Sequence, residues 1–259
     1  MKIVFVTNNS GPSKFIATHL YKKGLLNAVI IEESTSKVKT KVLREIKSAS
    51  WTTVLSKIID LFAVFVYSSL AKHYIEKHLL KPQSIDKYPE KILLYRVKSA
   101  SNPQSISILK SLKPDLLVVL GTSILKPEVL SIAKQYTLNI HGGIVPQYRN
   151  VHSDFWAISK NDIKNIGSSI IHLDPGVDTG DIAIQGSVNI TPKDTLFSIK
   201  RKNTELSLQL IIQAIEMAKI GELPRTPQKN ISNGFHKTPR LIDFIRLLRS
   251  NPKYLTRFS

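Results

Sequence analysis

An α/β fold follows from short apolar runs that alternate with helically spaced apolar residues, and from Gly and Pro placed where one pattern gives way to the next. Lys2–Val6 reads as the first strand. Gly11-Pro12-Ser13 then opens a helix that runs to about Lys23, where Gly24 stops it. Ala28–Ile31 is the second strand and Ile92–Val97 the third. Asn102-Pro103 supplies an N-cap followed by Pro at the first helical position, and Ile106, Leu109 and Leu112 mark one face of a helix that ends before Pro114. Leu116–Leu120 (LLVVL) shows no polar alternation, so it is read as a central strand buried on both faces. Thr137–Ile140, Gly167–Leu173 and Asp181–Ser187 complete the strands. At Thr191-Pro192-Lys193-Asp194 a capping box with Asp in place of Glu starts a last long helix. Its core face is Leu196, Ile199, Leu206, Leu210, Ala214 and Met217, and Gly221 ends it. This order predicts a Rossmann-like, mostly parallel sheet of about seven strands with helices on both faces.

The expected domain covers 1–221, with a helical insert at about 33–90, followed by a short basic C-terminal extension, 222–259, with one helix near Arg240–Leu248. A βαβ crossover needs only about a dozen residues, so the insert is an embellishment. Its first part, 37–47, is basic and its middle, 54–70, is apolar. That pattern suits a helical pair packed on the sheet edge, or a basic amphipathic hairpin against a membrane surface or a second subunit. Ile58–Ala71, which contains Asp60 and is bounded by Lys57 and Lys72, reads as too short to cross a bilayer, where about 20 apolar residues are needed. The start, Met1–Val6, is too short for a signal-peptide apolar region. The expectation is a cytoplasmic protein, with peripheral attachment to the inner membrane surface as a variant.

With 42% hydrophobic and 22% charged residues the chain can bury a globular core. Its 37 Lys+Arg against 19 Asp+Glu give a net charge of +18, a field that favours phosphate-bearing substrates, anionic cofactors, nucleic acid or anionic membranes, unless it reflects a Lys-rich proteome. The absence of Cys excludes disulfides, thiolate zinc sites and Cys nucleophiles.

Two segments carry candidate chemistry. In Leu138-Asn139-Ile140-His141-Gly142-Gly143-Ile144-Val145-Pro146-Gln147-Tyr148-Arg149 a strand ends in Asn-x-His. Strand alternation puts Asn139 and His141 on one face, at the end of a parallel strand where ligands bind, and the Gly pair allows a sharp turn and close approach. The second segment, Gly167 to Ile182, leads a strand into a loop with Asp174, Asp178 and Asp181. It fails as a calcium loop, because counting from Asp174 Thr179 takes position six and Gln185 position twelve. No P-loop spacing occurs, and Gly11 lacks the partner glycines of a dinucleotide fingerprint. A lone His at a strand end is usually structural, and Asp in a Gly-rich loop is usually turn chemistry.

Together the two segments resemble the formyltransferases that use 10-formyl-tetrahydrofolate, which include glycinamide ribonucleotide, methionyl-tRNA and sugar-nucleotide N-formyltransferases. That family's pattern is Asn-x-His, then Pro-x-Tyr-Arg, then an Asp-x-Gly loop. Asn139, His141, Pro146, Tyr148, Arg149 and Asp178-Thr179-Gly180 match it. The resemblance runs more loosely over 92–228, including Pro114-Asp115-Leu116 and Leu120-Gly121, and the first strand and helix also fit. It departs at His141-Gly142-Gly143, where the family often has His-Pro-Ser, and at Arg149-Asn150, where it often has Arg-Gly. Ser10-Gly11-Pro12-Ser13 also replaces the Gly-Ser-Asn turn expected for glycinamide ribonucleotide.

The resemblance implies Asn139, His141 and Asp178 as catalytic residues. Asn139 and a protonated His141 would donate to the developing oxyanion, while Asp178 favours the imidazolium and relays a proton from the amine. It implies 10-formyl-tetrahydrofolate as co-substrate and no metal. The pteridine would lie between the strand end Leu120–Leu125 and the loop His172–Asp181, on Leu120, Gly121, Ile124, Leu125, Leu173, Asp174, Val177 and Asp178, mostly through backbone. Gly142, Gly143, Tyr148 and Arg149 fall on the acceptor side, where Tyr148 and Arg149 either orient the acceptor or pin their loop. Trp156 is read as core, and His152 and His172 as structural. The expected partner is a small phosphate-bearing amine, preferably an amino-sugar nucleotide. Glycinamide ribonucleotide is the runner-up, and initiator tRNA comes third because the length leaves little room for a separate tRNA-binding domain. Water as acceptor, a homodimer, and a non-catalytic relative binding a membrane or nucleic acid complete the set.

Overall fold

The structure is a computed structural model that describes residues 1–33, 50–229 and 234–256. The basic stretch 37–47 of the expected insert lies outside the described residues. The strands are β1 (Ile3–Asn8), β2 (Ala28–Glu32), β3 (Leu93–Val97), β4 (Leu116–Leu120), β5 (Tyr136–His141), β6 (Arg149–Asn150), β7 (Gly167–His172), β8 (Ile182–Ser187) and β9 (Phe235–His236). The helices are α1 (Gly11–Lys22), α2 (Trp51–Ile75), α3 (Pro103–Leu112), α4 (Pro127–Leu130), α5 (Ser153–Ser159), α6 (Leu196–Lys219), α7 (Leu241–Ser250) and α8 (Lys253–Thr256).

One seven-stranded sheet runs β3-β2-β1-β4-β5-β7-β8, parallel from β3 to β5, with β7 antiparallel to β5 and β8 antiparallel to β7. β6 pairs with β9 in a separate small ribbon. The LLVVL run is β4, enclosed by β1 and β5, and Leu116 to Val119 are all buried. Alternation sends Phe5, Val29, Leu116 and Val118 to one face against α1 and α6, and Val4, Ile30, Leu117 and Val119 to the other against α3. Local sequence sets the helix starts. The Asn102 side chain accepts from the Ser105 amide at 2.8 Å, and Ser10 caps α1.

Several expectations need correction. Thr195, not Thr191, caps α6: its hydroxyl accepts from the Ser198 amide at 3.2 Å, and its own amide donates to Ser198 Oγ at 2.8 Å. Both threonines are competent caps, but the Asp194 carboxylate is drawn back to the Thr191 amide and hydroxyl and to Lys202, so the helix starts after it. On the expected core face of α6, Leu206 and Met217 are only half-buried.

The insert also differs from expectation. Its described part is one long helix, α2, which continues through a π turn (Glu76–Leu80) and a 3-10 turn (Lys81–Gln83). It does not lie along the edge strand β3, which leaves Leu93 and Leu94 exposed. Instead Tyr67 and Ala71 pack into an aromatic cluster with Phe155 (α5), Phe197 (α6) and Phe244 (α7). The segment Trp51–Gln83, 33 residues, is long and apolar enough to cross a membrane by length and composition. The shorter limit drawn between Lys57 and Lys72 fails because two cations do not end a helix, and α2 alone is about 37 Å long at 1.5 Å per residue. After Gly221 the chain folds back onto the body. Thr226 bridges to Ile182, β9 joins β6, and α7 buries Phe244 and Leu247 beside α5.

Candidate active site

Asn139 and His141 project from the carboxyl end of β5, two residues apart and therefore on one face. The loop between β7 and β8 brings Asp178 over them in the left-handed region (φ 51), a conformation Asp tolerates better than most residues. Asp178 Oδ1 accepts from Asn139 Nδ2 at 3.0 Å. Its Oδ2 lies 3.3 Å from His141 Nδ1 and accepts from the Asn150 amide at 2.9 Å. Gln228 holds this loop, donating to the carbonyls of Asp178 and Gly180 at 2.9 and 2.7 Å.

His141 is buried, and its Nε2 lies 2.7 Å from the Tyr148 carbonyl, which can only accept. Nε2 thus carries a hydrogen, and Nδ1 is the nitrogen that faces Asp178. A ring with hydrogen on both nitrogens satisfies both contacts. The longer 3.3 Å contact leaves Nδ1–H the easier one to redirect.

Of the expected acceptor-side residues, Gly142 borders the cavity beside His141, and Gly143, Tyr148 and Arg149 do not. Tyr148 has its hydroxyl on Asp162 Oδ2 at 2.9 Å and its ring stacked on His236, so it pins the loop and reaches the site only through its carbonyl. Burial pushes its phenol well above the usual range. Gly143 is enclosed, since a Cβ there would fall 2.6 Å from the Tyr148 carbonyl oxygen and 2.5 Å from Ser153 Oγ. Arg149 donates its amide to Gly234, and its buried Nε has no partner among the described residues.

A small cavity of about 210 Å³ beside His141 adjoins a cleft of about 750 Å³, and Pro12, Tyr67, Leu120, His152 and Lys200 line both. The cleft opens at the carboxyl ends of the paired strands β1 and β4, whose following helices α1 and α4 cover opposite faces of the sheet, the expected ligand position in a doubly wound sheet. Among the expected cofactor residues, Leu120 and Gly121 line it. Gly121 is left-handed (φ 64), and a Cβ would meet Asn8 Nδ2 at 2.7 Å. The others do not line it. Leu125 is buried in the core with Leu109 and Val129, Leu173 packs against the same cluster, Ile124 is exposed, and Val177 is half-buried in its loop. Asp174 turns its carboxylate back to the Gly176 amide and the Thr179 hydroxyl.

The cavity lining holds residues the sequence did not single out. Lys200 pairs with no carboxylate among the described residues. The fully buried Asp154 accepts from Asn203 Nδ2 at 2.8 Å, and burial raises its carboxyl above the usual range, while Lys200, Asn203 and His141 pull the other way. His152, read from the sequence as structural, also lines the cavity. Burial, and then Lys200, lower its pKa from 6.5 to about 4, so it faces the cavity as a neutral ring. Only helical spacing on α6, from Lys200 to Asn203 and Thr204, hinted that these residues share a face. His172 is tied to the Pro224 carbonyl and Arg225, and Trp156 donates to the Lys237 carbonyl. Among the described residues no three His, Asp or Glu side chains group as a metal site requires.

A family profile described as formyl transferase matches residues 26–215, well over half of the sequence. The chain belongs to the formyl transferase family. Among its relatives, a methionyl-tRNA formyltransferase of Methylacidiphilum infernorum is 36% identical over 147 residues, 56% of this chain and 46% of that protein. One from Delftia acidovorans is 31% identical over 163 residues, 61% of this chain and 46% of that protein. The chain thus spans about half the length of the curated relatives it matches. A sugar N-formyltransferase from Shewanella superposes with a TM-score of 0.58 at 14% identity, covering 96% of this chain and 87% of that one. Glycinamide ribonucleotide transformylase 1 from Symbiobacterium toebii superposes with a TM-score of 0.57 at 16% identity, covering 88% and 93%. At these identities the formyl transferase chain shares their fold.

Proposed function

We propose that the chain transfers a formyl group from 10-formyl-tetrahydrofolate to an amine, with Asn139, His141 and Asp178 as catalytic residues. The observation that carries this reading is the convergence of an amide, an imidazole and a carboxylate, within 3.0 and 3.3 Å, from two segments. When bound, the co-substrate supplies an electrophilic formyl carbon. Asn139 keeps a second N–H free of Asp178, and His141 has Nδ1–H, so two donors can turn to the carbonyl oxygen as it gains charge. Asp178, between them, can take the proton that the attacking amine loses and return it toward the leaving nitrogen. The turn at Leu120–Gly121 and the loop fixed by Gln228 are the surfaces on which the folate would rest.

The acceptor we favour is a small phosphate-bearing amine, first an amino-sugar nucleotide. A cleft of about 750 Å³ lies in the range of small-molecule sites, roughly 300–1,000 Å³. Lys14, Lys72, Lys81 and Lys200 line it, offering cations to a phosphate. Methionyl-tRNA is the second reading, favoured by the sequence relatives and by the charge of +18.

Tetrahydrofolate release from 10-formyl-tetrahydrofolate, measured with amino-sugar nucleotides, glycinamide ribonucleotide, methionyl-tRNA or water alone, tests both levels. Turnover only with tRNA would replace the favoured acceptor. No turnover and no folate binding in any arm would leave a binding module of this fold. Lys200→Ala should raise KM for the phosphate-bearing acceptor about tenfold with a smaller change in kcat.

A further inference from the structure

The outer face of α2 plays no part in the site. Trp51, Leu55, Ile58, Phe62 and Phe65 recur at helical spacing and are 78, 46, 51, 65 and 66% exposed. Ile59, Leu61, Val66 and Leu70 flank them, also exposed, and at 100° per residue the apolar arc spans roughly 180° of the helix. Beyond the apolar half the same helix and its continuation expose His73 and Lys77, whereas Lys72 and Lys81 line the cleft. The neighbouring α7 exposes Leu241, Ile242 and Leu248 together with Arg246 and Arg249. Nearby acids are few among the described residues. Asp60 accepts from the Leu241 amide, Asp243 is within 3.8 and 3.7 Å of Arg240 and Arg246, and Glu76 is exposed.

We propose that this face of α2, with the adjoining edge of α7, lies on an anionic membrane surface. The breadth of the arc argues for a continuous apolar medium. A helix pairing with a second copy buries a seam about two rows wide and leaves charged flanks, whereas the flanks here are apolar as well. The charge argues the same way. A second copy would bring Lys77, Arg246 and Arg249 of both rims together, while anionic headgroups complement them. α2 lies along the surface and does not cross the bilayer, because its inner stripe, Tyr67, Ala71 and Ile75, is packed into the body and Asp60 caps α7. Crossing would strip these contacts into lipid.

The test is flotation of the full chain with phosphatidylcholine vesicles containing roughly one-third phosphatidylglycerol, against phosphatidylcholine alone. It needs no formyl acceptor, so it fails or succeeds independently of the proposed function. The chain should float with the anionic vesicles, at least tenfold less with the neutral ones, and come off in high salt. Trp51 emission should shift to the blue on binding, read in a Trp156→Phe background. Phe62→Ser with Phe65→Ser should abolish flotation while thermal unfolding stays near that of the parent, which separates lost docking from lost folding. Absence of flotation with either vesicle overturns the proposal, as does retention through an alkaline carbonate wash, which would mean a spanning helix. A parent that is dimeric and vesicle-free, with a monomeric double variant, overturns it in favour of a second copy.

Discussion

At the carboxyl end of β5 polar side chains are buried, and on α2 apolar side chains are exposed. The two inversions have different remedies. Around His141 the central polar groups find fixed partners: the Asn139 side chain and the Asn150 amide on Asp178, Tyr148 on Asp162, and Asn203 Nδ2 on Asp154. An unpaired polar atom there would cost about 1–3 kcal/mol, so the pairing demands accurate geometry, and accurate geometry is what a reacting carbonyl needs. The outer face of α2 has no partner among the described residues and needs none of defined shape. An apolar surface can be covered by any apolar medium, because the hydrophobic effect has no direction. Tyr67 joins the two regions, lining both cavities from the inner side of α2.

Removing the polar pairing should have the largest effect. Asn139→Ala, His141→Ala and Asp178→Ala should each lower kcat about a hundredfold to a thousandfold, or roughly 2.7–4 kcal/mol, while costing at most about 1–3 kcal/mol of stability, so that the variants still fold. Single-turnover formyl transfer checks this, and parent-like turnover in Asp178→Ala would remove that carboxylate from the mechanism. Tyr67→Ala attacks the joint. Its ring lies 5.8 Å from Phe197 and 5.5 Å from Phe244, so truncation should cost about 3 kcal/mol in denaturant unfolding and loosen α2. A variant as stable as the parent would mean that α2 is not anchored there.

Acid should act on the site and leave α2 alone. His152 titrates near 6.5 when unfolded and at about 4 when folded, so between those values the unfolded chain binds more protons. Stability should therefore fall as pH drops through that window, by about 1.4 kcal/mol per pH unit for this ring, and be unaffected by it above 6.5. His152→Gln should flatten that part of the melting profile, and an unchanged slope would assign the loss to other groups. The smallest effect belongs to the outer face itself. Phe62→Ser should change solution stability by less than about 0.5 kcal/mol, because the side chain is mostly exposed.

Much of this was legible in the sequence wherever the controlling interactions are short-range. A strand that alternates with period two had to place Asn139 beside His141, and LLVVL had to lie between other strands. The preference for Thr195 over Thr191 as the cap is also local, but a carboxylate contact to Lys202 in the second turn of α6 helps to decide it. For Tyr148 the sequence left open whether it orients the acceptor or pins its loop, because that loop is next to the site. Its partner, Asp162, shows that the side chain faces away. Lys200, Asp154 and His152 were not legible as a group, since α5, α6 and the turn before α5 meet only through packing.

The sequence alone determined the order of the seven sheet strands and the long helices, the family pattern that singles out the Asn, His and Asp that meet, and the presence of an apolar helix in the insert. Periodicity and capping act within a few residues and can be read along the chain. Tertiary structure decided how Asp178 crosses to β5, which side chains wall the cleft, and which face of α2 is left bare. Those outcomes depend on contacts between segments tens to more than a hundred residues apart, where the same residue types could have packed in other ways.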